Sequence, residues 1–126
     1  MVESPVQIRD RSVERGRMVA AQVARRGVTD ARVLEAMRQV PREVFVHPEM
    51  EEFAYEDSPL PIAEGQTISQ PYIVALMTEA AQIKPSDRVL DVGTGSGYAA
   101  AVLSRLAAKV YSIERHRGLA DSARRA

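Results

Sequence analysis

From Val13 to Arg26 the apolar residues Met18, Val19 and Val23 recur at helical spacing among arginines, and Gly27 stands where a C-cap belongs. The pattern predicts a basic, amphipathic first helix. Thr29 is the expected N-cap of a second helix, whose inner face is Val33, Leu34, Met37 and Val40 and which Pro41 closes. The link is short, so the two helices should pack together. Between Pro41 and Pro61 neither a helical nor a strand period is sustained, and Pro48 and Pro59 interrupt the stretch further. An ordered but largely irregular connection is expected there. Helical spacing returns from Tyr72 to Gln82, with Ile73, Val74, Met77 and Ala80 or Ala81 on one stripe, Ser69 at the expected N-cap and Pro71 in the first turn.

Arg88 to Val92 reads as a buried strand, Tyr98 to Ala107 as an Ala-rich helix, and Lys109 to Glu114 as a second strand, with a further helix expected at Ala120 to Ala126. A strand, a crossover helix and a strand make parallel neighbours in one sheet. The fold class is therefore α/β, with N-terminal helices leading into the start of a sheet. Residues 1–85 form an N-terminal helical and loop region, and residues 86–126 the first βαβ unit.

Lys plus Arg and Asp plus Glu each number 17, so no global basic field steers the chain onto nucleic acid or an anionic membrane. Cysteine is absent, which removes disulfides, thiolate nucleophiles and Cys-rich metal sites, and His47 and His116 are too far apart in sequence to suggest a zinc site. No metal is expected. No apolar run approaches the roughly 20 residues that span a bilayer, and Met1 to Asp10 carries no leader-like apolar segment. These features predict a cytoplasmic protein.

The richest chemistry lies at Arg88 to Tyr98, where an apolar run breaks into Gly93, Gly95 and Gly97 before helix-forming residues return. Strand, glycine turn and helix start should place bare backbone N–H groups at one point, where an anionic or nucleoside ligand can approach. A dinucleotide fingerprint wants G-x-G-x-x-G, and Tyr98 occupies the position of its third glycine. The match to NAD is imperfect. Asp91 could accept from the loop or from a ligand ammonium, and Glu114 follows the first glycine by about 20 residues, where a carboxylate can meet both ribose hydroxyls. Together they favour S-adenosyl-L-methionine. Ser69 reads first as a helix cap, and no neighbouring base marks it as a nucleophile. Arg15, Arg17, Arg25 and Arg26 read as a solvated helix face, His47 as a surface or packing residue, and Tyr98 as close enough to the loop to line its pocket.

Four segments in order, Val40-Pro41-Arg42-Glu43-Val44-Phe45-Val46, Pro59-Leu60-Pro61-Ile62, Gly65-Gln66-Thr67-Ile68-Ser69-Gln70-Pro71 and Asp91-Val92-Gly93-Thr94-Gly95-Ser96-Gly97-Tyr98, resemble bacterial protein-L-isoaspartate O-methyltransferase. The resemblance implies a Rossmann-like class I methyltransferase sheet and methyl transfer from S-adenosyl-L-methionine to the carboxylate of L-isoaspartyl residues in damaged proteins. It also implies that Ser69 is the active-site serine, that Ile62 to Gly65 and Thr67 close over cofactor and substrate, and that Gly93 and Glu114 contact the cofactor. Relative to that family the chain stops after the second strand. Apolar sheet faces should then lie uncovered and invite self-association. Two alternatives follow: a catalytically silent chain that binds an adenosyl ligand or depends on a partner, and a methyltransferase with a different acceptor.

Overall fold

The computed structural model describes residues 10–126. Residues 1–9, on which the reading of the leader rests, lie outside them. The first helix runs over the expected stretch but changes gauge: α1 (Ser12–Met18) passes into a π-helical segment, Val19–Val23, and a 3₁₀ turn, Ala24–Arg26, before Gly27 ends it at φ 110°. Only glycine takes that backbone freely. Helix α2 (Ala31–Gln39) is capped by Asp30, whose carboxylate accepts from the N–H groups of Arg32 and Val33. Thr29 is not the cap; its own N–H, with that of Asp30, donates to Glu79 at 2.8 Å.

The stretch expected to be irregular contains two 3₁₀ turns, Arg42–Phe45 and Pro48–Phe53, and its end, β1 (Leu60–Pro61), pairs antiparallel with β2 (Thr67–Ile68) beyond it in a small hairpin. At its tip Glu64 and Gly65 both have positive φ, at 62° and 65°, and Gln66 N–H closes on the Ala63 carbonyl at 3.2 Å. Helix α3 (Pro71–Ala80) starts at its proline, and Gln70 rather than Ser69 occupies the cap position without a side-chain bond. Parallel strands β3 (Arg88–Val92) and β4 (Lys109–Ile113) flank α4 (Tyr98–Ser104), in the register Leu90 to Tyr111 and Val92 to Ile113. Helix α4 is shorter than its alanines suggested, and α5 (Arg117–Arg125) begins earlier than expected.

The core gathers Met18, Val19, Val23, Met37, Val74, Tyr98 and Val102, so that the N-terminal helices, α3 and the inner side of α4 share one apolar interior. Arg32 ties these layers together, donating to the carbonyls of Ile83 at 2.8 Å and Leu106 at 2.6 Å. The sheet is finished less completely. Strand residues alternate faces, and the face bearing Leu90, Val92, Tyr111 and Ile113 stands in solvent at 61%, 71%, 42% and 53% exposure.

Candidate active site

The glycine loop is closed by β4. The N–H groups of Gly93 and Thr94 both donate to the Ile113 carbonyl, at 2.8 and 3.1 Å, and Gly97 N–H donates to Thr94 at 2.9 Å. Gly95 N–H donates to one carboxylate oxygen of Glu114 at 2.8 Å, and the other oxygen accepts from His116 N–H at 2.9 Å. These two bonds, that from His116 first, hold the Glu114 carboxyl below its ordinary range. The loop therefore does not present the row of bare amides expected from its sequence, because the end of β4 absorbs them. What it offers a ligand is backbone shape and acceptor groups, which suits hydroxyls and a cation better than a diphosphate.

Asp91 is the second acceptor. Its carboxylate takes a bond from Ser112 at 2.8 Å, and Ser112 shares another with Thr94 at 2.5 Å. Ser112 sits opposite Asp91 in the parallel register, so a sequence reading that aligned the strands would have found it. Gly93, at φ 85°, has open space where a side chain would project, and a Cβ on Gly95, at φ 55°, would come 3.8 Å from Ile62 Cδ1. Ile62 thus roofs the loop, whereas Gly65 lies at the hairpin tip with open space where a side chain would project. A cleft of ≈ 550 Å³ is lined by Thr67, Gly93, Gly95 and Glu114, among others. That volume lies within the range of small-ligand sites.

Ser69 follows β2 directly. It is exposed, and its hydroxyl has no hydrogen-bond partner among the described residues. A small cavity of ≈ 80 Å³ joins Thr67 and Ser69 to Gly93, Thr94 and Gly95. A groove of ≈ 670 Å³ on its other side runs from Ser69 along Asp91 and Gly93. The hairpin therefore brings Ser69 to the glycine loop across twenty-odd residues of chain. Gly97 stands apart from these spaces: its open side faces Ala123 of α5, 3.2 Å from an added Cβ, and Phe45 at 3.6 Å. Tyr98, expected to line the pocket, does border the small cavity beside Ser69, while at 1% exposure its ring packs in the core and is held edge-on to Phe45. His47 caps the second 3₁₀ turn through its ring nitrogen, and Arg26 lies over the ring of Tyr72 at 4.1 Å.

The family profile described as protein-L-isoaspartate(D-aspartate) O-methyltransferase matches residues 14–126. The chain belongs to this family. Among its relatives, protein-L-isoaspartate O-methyltransferase 2 of Pelobacter propionicus is 61% identical over 117 residues, covering 93% of this chain and 52% of its own. The Methanoculleus marisnigri protein-L-isoaspartate O-methyltransferase is 61% identical over 111 residues, covering 88% and 50%. The chain thus spans about half the length of the curated relatives it matches. A solved protein-L-isoaspartate O-methyltransferase superposes with a TM-score of 0.75 at 33% identity, over 88% of this chain and 37% of that one. A Plasmodium falciparum structure described under the same family, in complex with S-adenosyl-L-homocysteine, superposes with a TM-score of 0.74 at 29% identity, over 88% and 53%. The fold is thus that of the opening half of these methyltransferases, an α/β chain entering a Rossmann-like sheet.

Proposed function

We propose that this chain carries the active-site serine and the cofactor loop of an S-adenosyl-L-methionine-dependent protein-L-isoaspartate O-methyltransferase, with residues 1–85 supplying the substrate-site motif and 86–126 the first βαβ of the cofactor-binding domain. The observation that carries this reading is the shared cavity of Thr67, Ser69, Gly93 and Gly95, which sets an unpartnered hydroxyl beside a loop suited to an adenosyl ligand. Asp91 and Glu114 accept from the ligand's ammonium and ribose hydroxyls, Gly93 and Gly95 admit its close approach, and Ile62, Gly65 and Thr67 cover it. When bound, the sulfonium supplies a methyl group already attached to its leaving group. Ser69 donates to one oxygen of the isoaspartyl carboxylate and leaves the other free to form the new C–O bond as the C–S bond breaks. A carboxylate is ionised near neutrality, so the chain need only orient and desolvate it, and no general base is required.

Among the described residues no helix is long and apolar enough to cross a membrane, and a cytoplasmic location fits the absence of cysteine. Isoaspartyl proteins are the partners this reading requires. The bare face of Leu90, Val92, Tyr111 and Ile113 favours a second reading, in which activity waits on further chain or a second copy covering that face.

Incubation with methyl-labelled S-adenosyl-L-methionine and an isoaspartyl peptide tests the proposal. A base-labile methyl ester on the isoaspartyl but not the aspartyl isomer is expected. Folded chain that binds S-adenosyl-L-homocysteine but forms no ester supports the silent reading, and ester formed equally on both isomers points to a different acceptor.

A further inference from the structure

We propose that Arg42 is a positioning residue for the glycine loop, fixing through the ring of Tyr98 the point at which β3 turns into α4. Arg42 is wholly buried, at 0% exposure. Its backbone N–H donates to the Tyr55 hydroxyl at 3.2 Å and its Nε–H to the Ala54 carbonyl at 2.7 Å. Neither Nη1 nor Nη2 has a hydrogen-bond partner among the described residues. The adjacent carboxylate, Glu43, is committed elsewhere, to the Tyr55 hydroxyl and to Arg15 at 3.8 Å.

What the guanidinium does face is Tyr98, with its central carbon 4.9 Å from the ring centroid. Burying an arginine without a carboxylate is costly, and an apolar side chain of similar volume would fill the same space at lower cost. A buried charge kept on those terms is best explained by the geometry it imposes. Phe45, three residues on in the same 3₁₀ turn, meets the same ring at 5.8 Å and 63°. Residues i and i+3 eclipse in such a turn, so Arg42 and Phe45 grip one ring from one side of the chain. Tyr98 directly follows Gly97, the left-handed residue at φ 94° that ends the loop and starts α4. The ring is thus the anchor of the loop's last turn, and the anchor belongs to the region that also carries Ser69. That this alignment serves methyl transfer rests on the function proposed above.

Amide hydrogen exchange on the chain without ligand tests the positioning itself, so a chain that bound no adenosyl compound would still return an answer. In Arg42→Met, exchange at Gly97 and Ala101 should accelerate about tenfold or more, while Leu34 and Ala81, whose bonds lie in α2 and α3, stay within about twofold. Tyr98→Leu should reproduce this pattern, Tyr98→Phe should keep the original rates, and the double variant should be no faster than the faster single one. Equal acceleration at all four amides would mean a general loss of stability and overturn the proposal, as would additive effects or a Phe variant as damaging as Leu. Should Arg42→Met fail to fold, Arg42→Lys takes its place: acceleration at Gly97 and Ala101 alone is expected, and unchanged rates at both would overturn the proposal.

Discussion

The two regions that meet at the cleft are built to different degrees of completion. In the N-terminal region Val19, Val23 and Met37 are all at 0% exposure, although Met77 on the outer side of α3 stands 69% exposed. In the βαβ unit α4 packs on both strands, yet Val92 stands 71% exposed on the opposite face. Parallel sheets are ordinarily covered on both sides. Ser69 is therefore presented from the better-packed region and the glycine loop from a half-covered sheet, so the loop depends on what the N-terminal region lends it.

Stability measurements bear on this contrast most directly. Met37→Ala should cost about 2 to 5 kcal/mol in chemical denaturation, whereas Val92→Ala should stay within about 0.5 kcal/mol. Similar losses at both sites would erase the difference between the regions. Gly95→Val puts a branched side chain at φ 55° beneath Ile62, and calorimetry should record at least a ~100-fold loss of S-adenosyl-L-homocysteine affinity. Unchanged affinity would remove the loop from the site.

A weaker effect is expected from pH. The folded Glu114 carboxyl titrates below its ordinary value of 4.5, so its contribution is full above that value and is lost as pH falls through the lowered one. Urea midpoints of the chain and of Glu114→Gln should therefore differ near neutrality and converge in acid; a constant gap would show that the carboxylate's bonds to Gly95 and His116 contribute nothing. Smallest of all should be the stability change in Ser69→Ala, within about 0.5 kcal/mol because the hydroxyl caps nothing. Turnover should nevertheless fall more than cofactor affinity, and the reverse order would deny Ser69 its proposed role of holding the substrate carboxylate.

Periodicity located the helices and the βαβ unit because their apolar residues repeat over several turns. The hairpin escaped it, since two-residue strands such as Leu60–Pro61 have no room for an alternating pattern. Asp30 and Thr29 compete for one cap; the Asp30 carboxylate takes the Arg32 and Val33 N–H groups, and the distant Glu79 holds the backbone N–H of both competitors. At the candidate site, spacing singled out Gly93, Gly95 and Glu114, which the structure brings to one cleft, but the engagement of the loop amides by Ile113 depends on strand register and could not be read from the loop alone. Arg42 gave no sign of burial, since arginine is ordinarily a surface residue. Its one hint was the neighbouring Phe45, three positions away.

The π-helical segment Val19–Val23 absorbs one residue of the first helix. A π turn holds one residue more than an α turn, so the extra residue is taken up within a single turn and the turns on either side keep their phase. Were the same residue carried in regular α winding, the turns before it would swing by about 100°, and Arg11 would leave the Glu51 carbonyl and Arg15 would leave Glu43 and Tyr55. The wide turn thus lets the chain hold one residue more between its arginines and Val23 while each arginine still meets its partner.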